Sequence, residues 1–189
     1  MKIFEIGVGH LYHCRTKQFV NTDIECYLFE PNPICFEELK SSLSYFPNFK
    51  LFNYAVGSEN KICNLFLAGP SSFLEGIASP QKGIQPEAES ELRKASINMK
   101  SIKEIDNGDI DVLLLDTEGS EFDIIKNLIS RPKQISVEMY SFGVEYKNPH
   151  FDEIIEWMND NNYELIENVW NPQVQPIGED YVFQLKSNY

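Results

Sequence analysis

The residues best suited to chemistry are carboxylates placed where apolar runs end. Glu5 sits in FEIGVGH, followed by Gly7 and Gly9. Glu30 ends CYLFE, 25 residues later, and Asp116, Glu118 and Glu121 follow the apolar run in IDVLLLDTEGSEFDIIKNL. Glycines in a strand-to-helix turn let a ligand approach the backbone. An acid beside them suits a ligand carrying positive charge, and an acid at the second strand end accepts the two hydroxyls of a ribose. Glu30 also precedes Pro31 and Pro33, so capping the next helix is its alternative role. A dinucleotide site asks for GxGxxG, and its third glycine is here Tyr12. Three carboxylates within six residues are costly unless solvated, hydrogen bonded or used. Glu121, at a helix start, has a structural reason; Asp116 and Glu118 have a weaker one.

These acids need a scaffold that brings strand ends together. Short apolar runs alternate with segments of helical periodicity, the pattern of a parallel sheet covered on both faces. Strands are expected at Lys2 to Ile6, Glu25 to Phe29, Lys50 to Val56, Asp111 to Asp116 and Gln134 to Met139, most of them continuous apolar runs. Pro33 suits the start of a helix over ICFEELKSSL, Ser120 is placed to cap EFDIIKNLI, and Asn148 or Pro149 introduces FDEIIEWMND. His13 and Cys14 are expected on a first helix after the glycines. YELIENVW and YVFQLK, separated by a turn-rich stretch, form an antiparallel hairpin. The expected fold is therefore α/β: a Rossmann-like, doubly wound sheet, mostly parallel, with a C-terminal antiparallel hairpin. Residues 69–94, rich in Gly, Pro, Ser and Glu, break the rhythm as a long loop, either disordered or a functional lid.

At 189 residues and 42% hydrophobic, the chain is sized for one domain. A net charge of −13 opposes nucleic-acid binding, which needs Lys and Arg to displace counterions. Lys94, Lys100 and Lys103 are an ordinary solvated face. Cys14, Cys26, Cys35 and Cys63 form no CxxC pair and read as reduced thiols. The opening MKIFEIGVGH leaves no room for a signal peptide, and no stretch is apolar for the roughly 20 residues of a membrane span, so a cytoplasmic protein is expected. The oligomeric state is left open.

EIGVG, FEPNP, the AVG turn, SSFLE, DTEGSEFDIIKNL and ISVEMY, in this order from residue 3 to about 165, resemble the FkbM family of methyltransferases, which use S-adenosyl-L-methionine. FEPNP paired with DxEGxE is the specific part. The resemblance implies that Glu5, Gly7 and Gly9 line the donor site, that Glu30 holds its ribose, and that Ser72 sits near the adenosyl group. Pro31 follows Glu30 in the same turn. Ala55 and Val56 are apolar enough to lie against adenine, or simply end a strand. His10 is a donor contact or a base. Glu5 stands where Asp is common, Val8 and His10 alter the glycine loop, and no segment precedes the first strand, so the acceptor falls to the 69–94 and 140–150 loops.

Methyl transfer from a sulfonium is an in-line displacement, so positioning dominates. An alcohol acceptor needs a base, for which Asp116, next to the donor turn and itself among the expected donor contacts, leads, with Glu118 as alternative or as an acceptor ligand. Glu138, in ISVEMY at the end of the fifth strand, faces the same cleft or bonds a loop amide. These three acids suit Mg²⁺ as oxygen ligands, but no His joins them, and the expectation is a site without metal. Tyr140 and Tyr146 stack on an acceptor ring or pack. The expected reaction is O-methylation of a sugar, glycan or small metabolite. A non-catalytic domain holding the donor or another nucleotide, and an NAD-dependent Rossmann enzyme, are the rival readings.

Overall fold

A computed structural model describes residues 1–77, 93–139, 148–170 and 179–187. Tyr140, Tyr146, most of the 69–94 and 140–150 loops, and the turn of the terminal hairpin lie outside the described residues.

Seven strands form the main sheet. In chain order they are β1 (Lys2–Ile6), β2 (Glu25–Phe29), β3 (Phe49–Phe52), β8 (Val112–Leu115), β9 (Gln134–Met139), β10 (Tyr163–Trp170) and β11 (Glu179–Leu185), and their spatial order is β10-β11-β9-β8-β1-β2-β3. From β9 to β3 every pairing is parallel, and β11 joins antiparallel to both β9 and β10. The sequence expectation of a mostly parallel sheet with an antiparallel finish is met. VLLL and QISVEM are near-continuous apolar runs because both faces are covered: Leu113, Leu115, Ile135, Val137 and Met139 are all fully buried.

Alternation along the strands assigns the two faces. Cys26 and Leu28 pack with Leu39 and Leu43 of α1 (Pro33–Leu43), while Phe4, Ile6 and Phe29 join Ile102, Ile124 and Ile154 on the opposite side. The latter come from α2 (Ile102–Ile105), α3 (Glu121–Ile125) and α4 (Phe151–Asp160). Asn32 caps α1 by accepting from the Ile34 amide at 2.9 Å, with Pro33 at the first helical position.

Four features depart from the sequence reading. The segment from Lys50 to Val56 is not one strand: β3 stops at Phe52, and β4 (Ala55–Gly57) belongs to a second sheet. The break follows from Asn53, whose amide donates to the carbonyls of Glu30 at 2.9 Å and Pro31 at 3.3 Å and so draws the chain across the end of β2. The second sheet, ordered β4-β7-β5-β6, contains β5 (Lys61–Phe66), β6 (Phe73–Leu74) and β7 (Lys94–Ser101), none of which was expected. His13 and Cys14 precede a short 3-10 helix, Arg15–Phe19, and lie on no helix. Finally, α3 ends at Ile125, and Ser120 makes no side-chain capping bond. No helix among the described residues is long and apolar enough to cross a membrane.

Candidate active site

The ends of β1, β2 and β8 converge because their backbones touch. The Gly7 amide donates to the Phe29 carbonyl at 2.9 Å, and the Asp116 amide donates to the Ile6 carbonyl at 3.0 Å. Gly7 has a φ of +80°, and a Cβ there would stand 1.7 Å from the Asp116 carbonyl oxygen. Only glycine allows this approach.

Glu30 sits beneath the turn, 4% exposed, and accepts from the Gly9 amide at 2.6 Å and the Asn32 amide at 2.7 Å. Burial pushes its carboxyl up to about 7, against the lowering effect of those amides. A carboxylate has about four acceptor positions, so two amides leave capacity for further donors. A second loop closes over this point. Ser72 donates to the Gly69 carbonyl at 2.6 Å and accepts from Asn32 at 3.0 Å, and Pro70 lies against Gly9.

The result is a cleft of about 450 Å³, counting its open mouth, lined by Ile6, Gly7, Phe29, Glu30, Pro31, Tyr54, Ala55, Val56, Leu65, Pro70, Ser72, Leu74, Asp116, Thr117 and Ser120. Seven of the residues expected to hold the donor line it: Gly7, Glu30, Pro31, Ala55, Val56, Ser72 and Asp116. Tyr54, Leu65, Pro70 and Leu74 were not foreseen; Tyr54 comes from the link between β3 and β4, and the others from the second sheet and its turn, which the sequence did not announce. Ser120 was read only as a helix cap.

Glu5, Gly9 and His10 stand behind this lining. Glu5 is 1% exposed and accepts from the amides of Arg15 at 2.7 Å and Thr16 at 3.0 Å and from the Thr16 hydroxyl at 2.6 Å. Burial pushes the Cys14 thiol up to about 12, so it remains a donor to Glu5. Glu5 thereby pins the loop that follows the glycines. Gly9 supplies its amide to Glu30, and His10 turns outward to Glu38 on α1.

Beside the cleft, the carboxylate oxygens of Asp116, Glu118 and Glu138 lie within 4.8 Å of one another. Burial pushes Asp116 up to about 6, opposed by a hydrogen bond from Glu138 and by the Arg15 cation. Glu138 is driven well above the usual carboxylate range, first by burial and then by Asp116. Both carboxyls are thus held above the ordinary carboxylate range and are joined by a hydrogen bond. Arg15, missed by the sequence reading, reaches Ser136 and Asp180, each at 3.2 Å, and its charge also acts on Asp116 and Glu138. Nothing in its local sequence sets it apart, because its partners come from β9 and β11. Glu118 has a φ of +57°, a left-handed backbone that costs about 1–2 kcal/mol in a non-glycine residue. Glu121 holds that turn, accepting from the Thr117 amide and hydroxyl, each at 2.8 Å, and from the Gly119 amide at 3.1 Å.

Glu30 makes a testable contribution to stability. Its folded value of about 7 exceeds the ordinary 4.5, so the neutral acid favours the fold below pH 4.5, and that contribution is lost as pH rises through about 7. The shift corresponds to at most about 3 kcal/mol. Thermal melts of the ligand-free protein should show the stability of wild type relative to Glu30→Gln declining from pH 5 to pH 8. A constant difference between the two would mean that Glu30 is not perturbed.

Residues 7–165 match the methyltransferase FkbM domain. No curated protein sequence matches the chain. Among solved structures, a methyltransferase FkbM from Methylobacillus flagellatus has 11% identity and a TM-score of 0.56, covering 95% of this chain and 43% of that one. Aeropyrum pernix fibrillarin with natively bound S-adenosyl-L-methionine has 10% identity and a TM-score of 0.54, covering 96% and 65%. A putative RNA methyltransferase from Pyrococcus horikoshii has 8% identity and a TM-score of 0.54, covering 99% and 74%. Thus the chain spans under half the length of the FkbM structure and about two thirds of fibrillarin. At these identities the structural likeness speaks for the fold, and the domain match over most of the sequence speaks for kinship. The chain belongs to the FkbM family of S-adenosylmethionine-dependent methyltransferases.

Proposed function

We propose that this chain is an O-methyltransferase acting on a hydroxyl of a sugar, glycan or small metabolite, with Asp116 as general base. The observation that carries this reading is the position of Asp116: it lines the cleft beside the Gly7 turn and is hydrogen bonded to Glu138. A carboxylate with a raised pKa is a better match to an alcohol proton than an ordinary one.

Features of the cleft fit the donor. Glu30 retains acceptor capacity for ribose hydroxyls, Pro31, Ala55 and Val56 offer an apolar slot for adenine, and the Ser120 hydroxyl is buried without a hydrogen-bond partner among the described residues. Ser72 braces the wall of that slot through Asn32 and Gly69. When bound, S-adenosylmethionine supplies a methyl group on a sulfonium. Gly7 and Gly9 keep the backbone low enough to admit it, and Glu5 and His10 act at one remove, by shaping the glycine loop. Asp116 accepts the proton of the acceptor hydroxyl, Glu138 holds Asp116 in orientation through their shared hydrogen bond, and Glu118 orients the acceptor. The net charge of −13 supports a small acceptor over a nucleic acid.

The clustering of three carboxylates within 4.8 Å favours one second reading, in which they hold a divalent cation. A single assay separates the two. Isotope-labelled donor is supplied with a panel of polyols, glycosides, amines and transfer RNA, with and without EDTA. The expected outcome is label in a base-stable ether on a polyol or glycoside, at a rate unchanged by EDTA. Label in amines or RNA alone would defeat the O-methylation reading, and loss of activity restored by Mg²⁺ would install the metal.

A further inference from the structure

We propose that the Ser120 hydroxyl is a donor-binding group that reads the hydrogen-bonding edge of the adenine ring. The inference rests on the proposed placement of the donor in the cleft, and begins from a hydroxyl that no described residue pairs with. Ser120 occupies the residue before α3, where a serine ordinarily accepts from an amide of the first turn, yet it makes no such bond. Its side chain is 3% exposed, and its oxygen has no hydrogen-bond partner among the described residues. A buried hydroxyl left unpaired lowers stability, so its retention points to a partner that arrives from outside the chain.

The other hydroxyls of short side chains lining the cleft are already committed. Ser72 is held by Gly69 and Asn32, and Thr117 donates to Glu121. Ser120 shares the lining with Ala55, Val56, Leu65 and Leu74, whose apolar side chains cannot hydrogen bond a ring edge. It also lies at the start of α3, which packs on β4, the strand that carries Ala55 and Val56. A planar heterocycle against those residues presents to Ser120 an edge on which an amine donor alternates with ring-nitrogen acceptors. A serine hydroxyl both donates and accepts, and it rotates to suit either.

Two measurements on Ser120→Ala test this. Calorimetric titration uses S-adenosylhomocysteine and its inosine counterpart, in which the 6-amino group is replaced by a carbonyl; thermal melts are taken without ligand. The adenosyl compound should bind about tenfold more weakly to the variant than to wild type. The preference of wild type for the adenosyl over the inosyl compound should shrink by a similar factor. The ligand-free variant should melt at the wild-type temperature or about 2–4 °C above it, since an unpaired polar group has been removed. Ser120→Cys, which keeps the size but weakens the donor, should fall between the two.

Affinity within twofold of wild type would overturn the proposal. So would an equal loss for both compounds, which places the hydroxyl away from the adenine edge, or a marked drop in the ligand-free melting temperature, which gives it a structural partner. Failure of wild type to bind S-adenosylhomocysteine at all would instead overturn the donor placement on which the proposal rests.

Discussion

Replacing Asp116 with asparagine should lower kcat for methyl transfer by about 10²–10⁴-fold, the usual worth of a positioned base, while S-adenosylhomocysteine still binds within about tenfold of wild type. Asparagine keeps the shape and the link to its neighbours but cannot take a proton. The wild-type pH profile supplies the second half of the test. A base works when ionised, so kcat should rise with pH through about 6, where Asp116 loses its proton, and fall below it. That inflection should vanish from what activity remains in the variant. Glu138→Gln makes the control, because glutamine still donates to Asp116; its loss should stay under about tenfold. If Asp116→Asn retained more than a third of wild-type kcat, the base would have to be sought elsewhere, first at Glu118.

Gly7→Ala should be the most damaging single methyl group that can be added near the site. The φ of +80° costs an alanine about 1–2 kcal/mol. The larger penalty is steric: a Cβ placed 1.7 Å from the Asp116 carbonyl oxygen has to push β1 and β8 apart, since neither atom belongs to a flexible side chain. Together these place the variant among severely destabilising substitutions, above about 4 kcal/mol, and lower Tm by about 10 °C or more. A decrease under about 2 °C would show that the two strand ends do not touch. Gly9 has looser surroundings, a side-chain carbon of Pro70 at 3.1 Å, and alanine there should cost less.

How much of this was legible depended on the range of the interaction involved. The main strands were readable because a doubly covered parallel strand must be apolar along its length, and VLLL and ISV leave little choice. Glu30 and Asp116 were readable because open α/β sheets bind ligands where strands end. The second sheet was not, because β5 and β7 are half-exposed ribbons whose polar and apolar residues mix, as in KICNLF and KASINMKS. Glu5 shows a subtler limit. An acid at a strand end before glycines has the same local sequence whether it faces a ligand or holds a loop, and what decided was the return of Arg15 and Thr16 to its carboxylate. Ser120 failed in the opposite sense: its position announced a cap, but the cap bond was not made.

The strand order carries a consequence for biosynthesis. β11 follows the other described strands in sequence, yet it lies not at the margin of the sheet but between β9 and β10. Until it emerges from the ribosome, β9 has one open edge and β10 has no partner in the sheet, so the nascent chain carries unpaired hydrogen-bonding groups from the synthesis of β9 to that of β11. The same strand delivers Asp180 to Arg15. Asp180 adds to the negative charge that Glu5 already sets against Arg15, and a chain stalled before residue 179 would have its glycine turn and Asp116 but neither a paired β10 nor that second carboxylate.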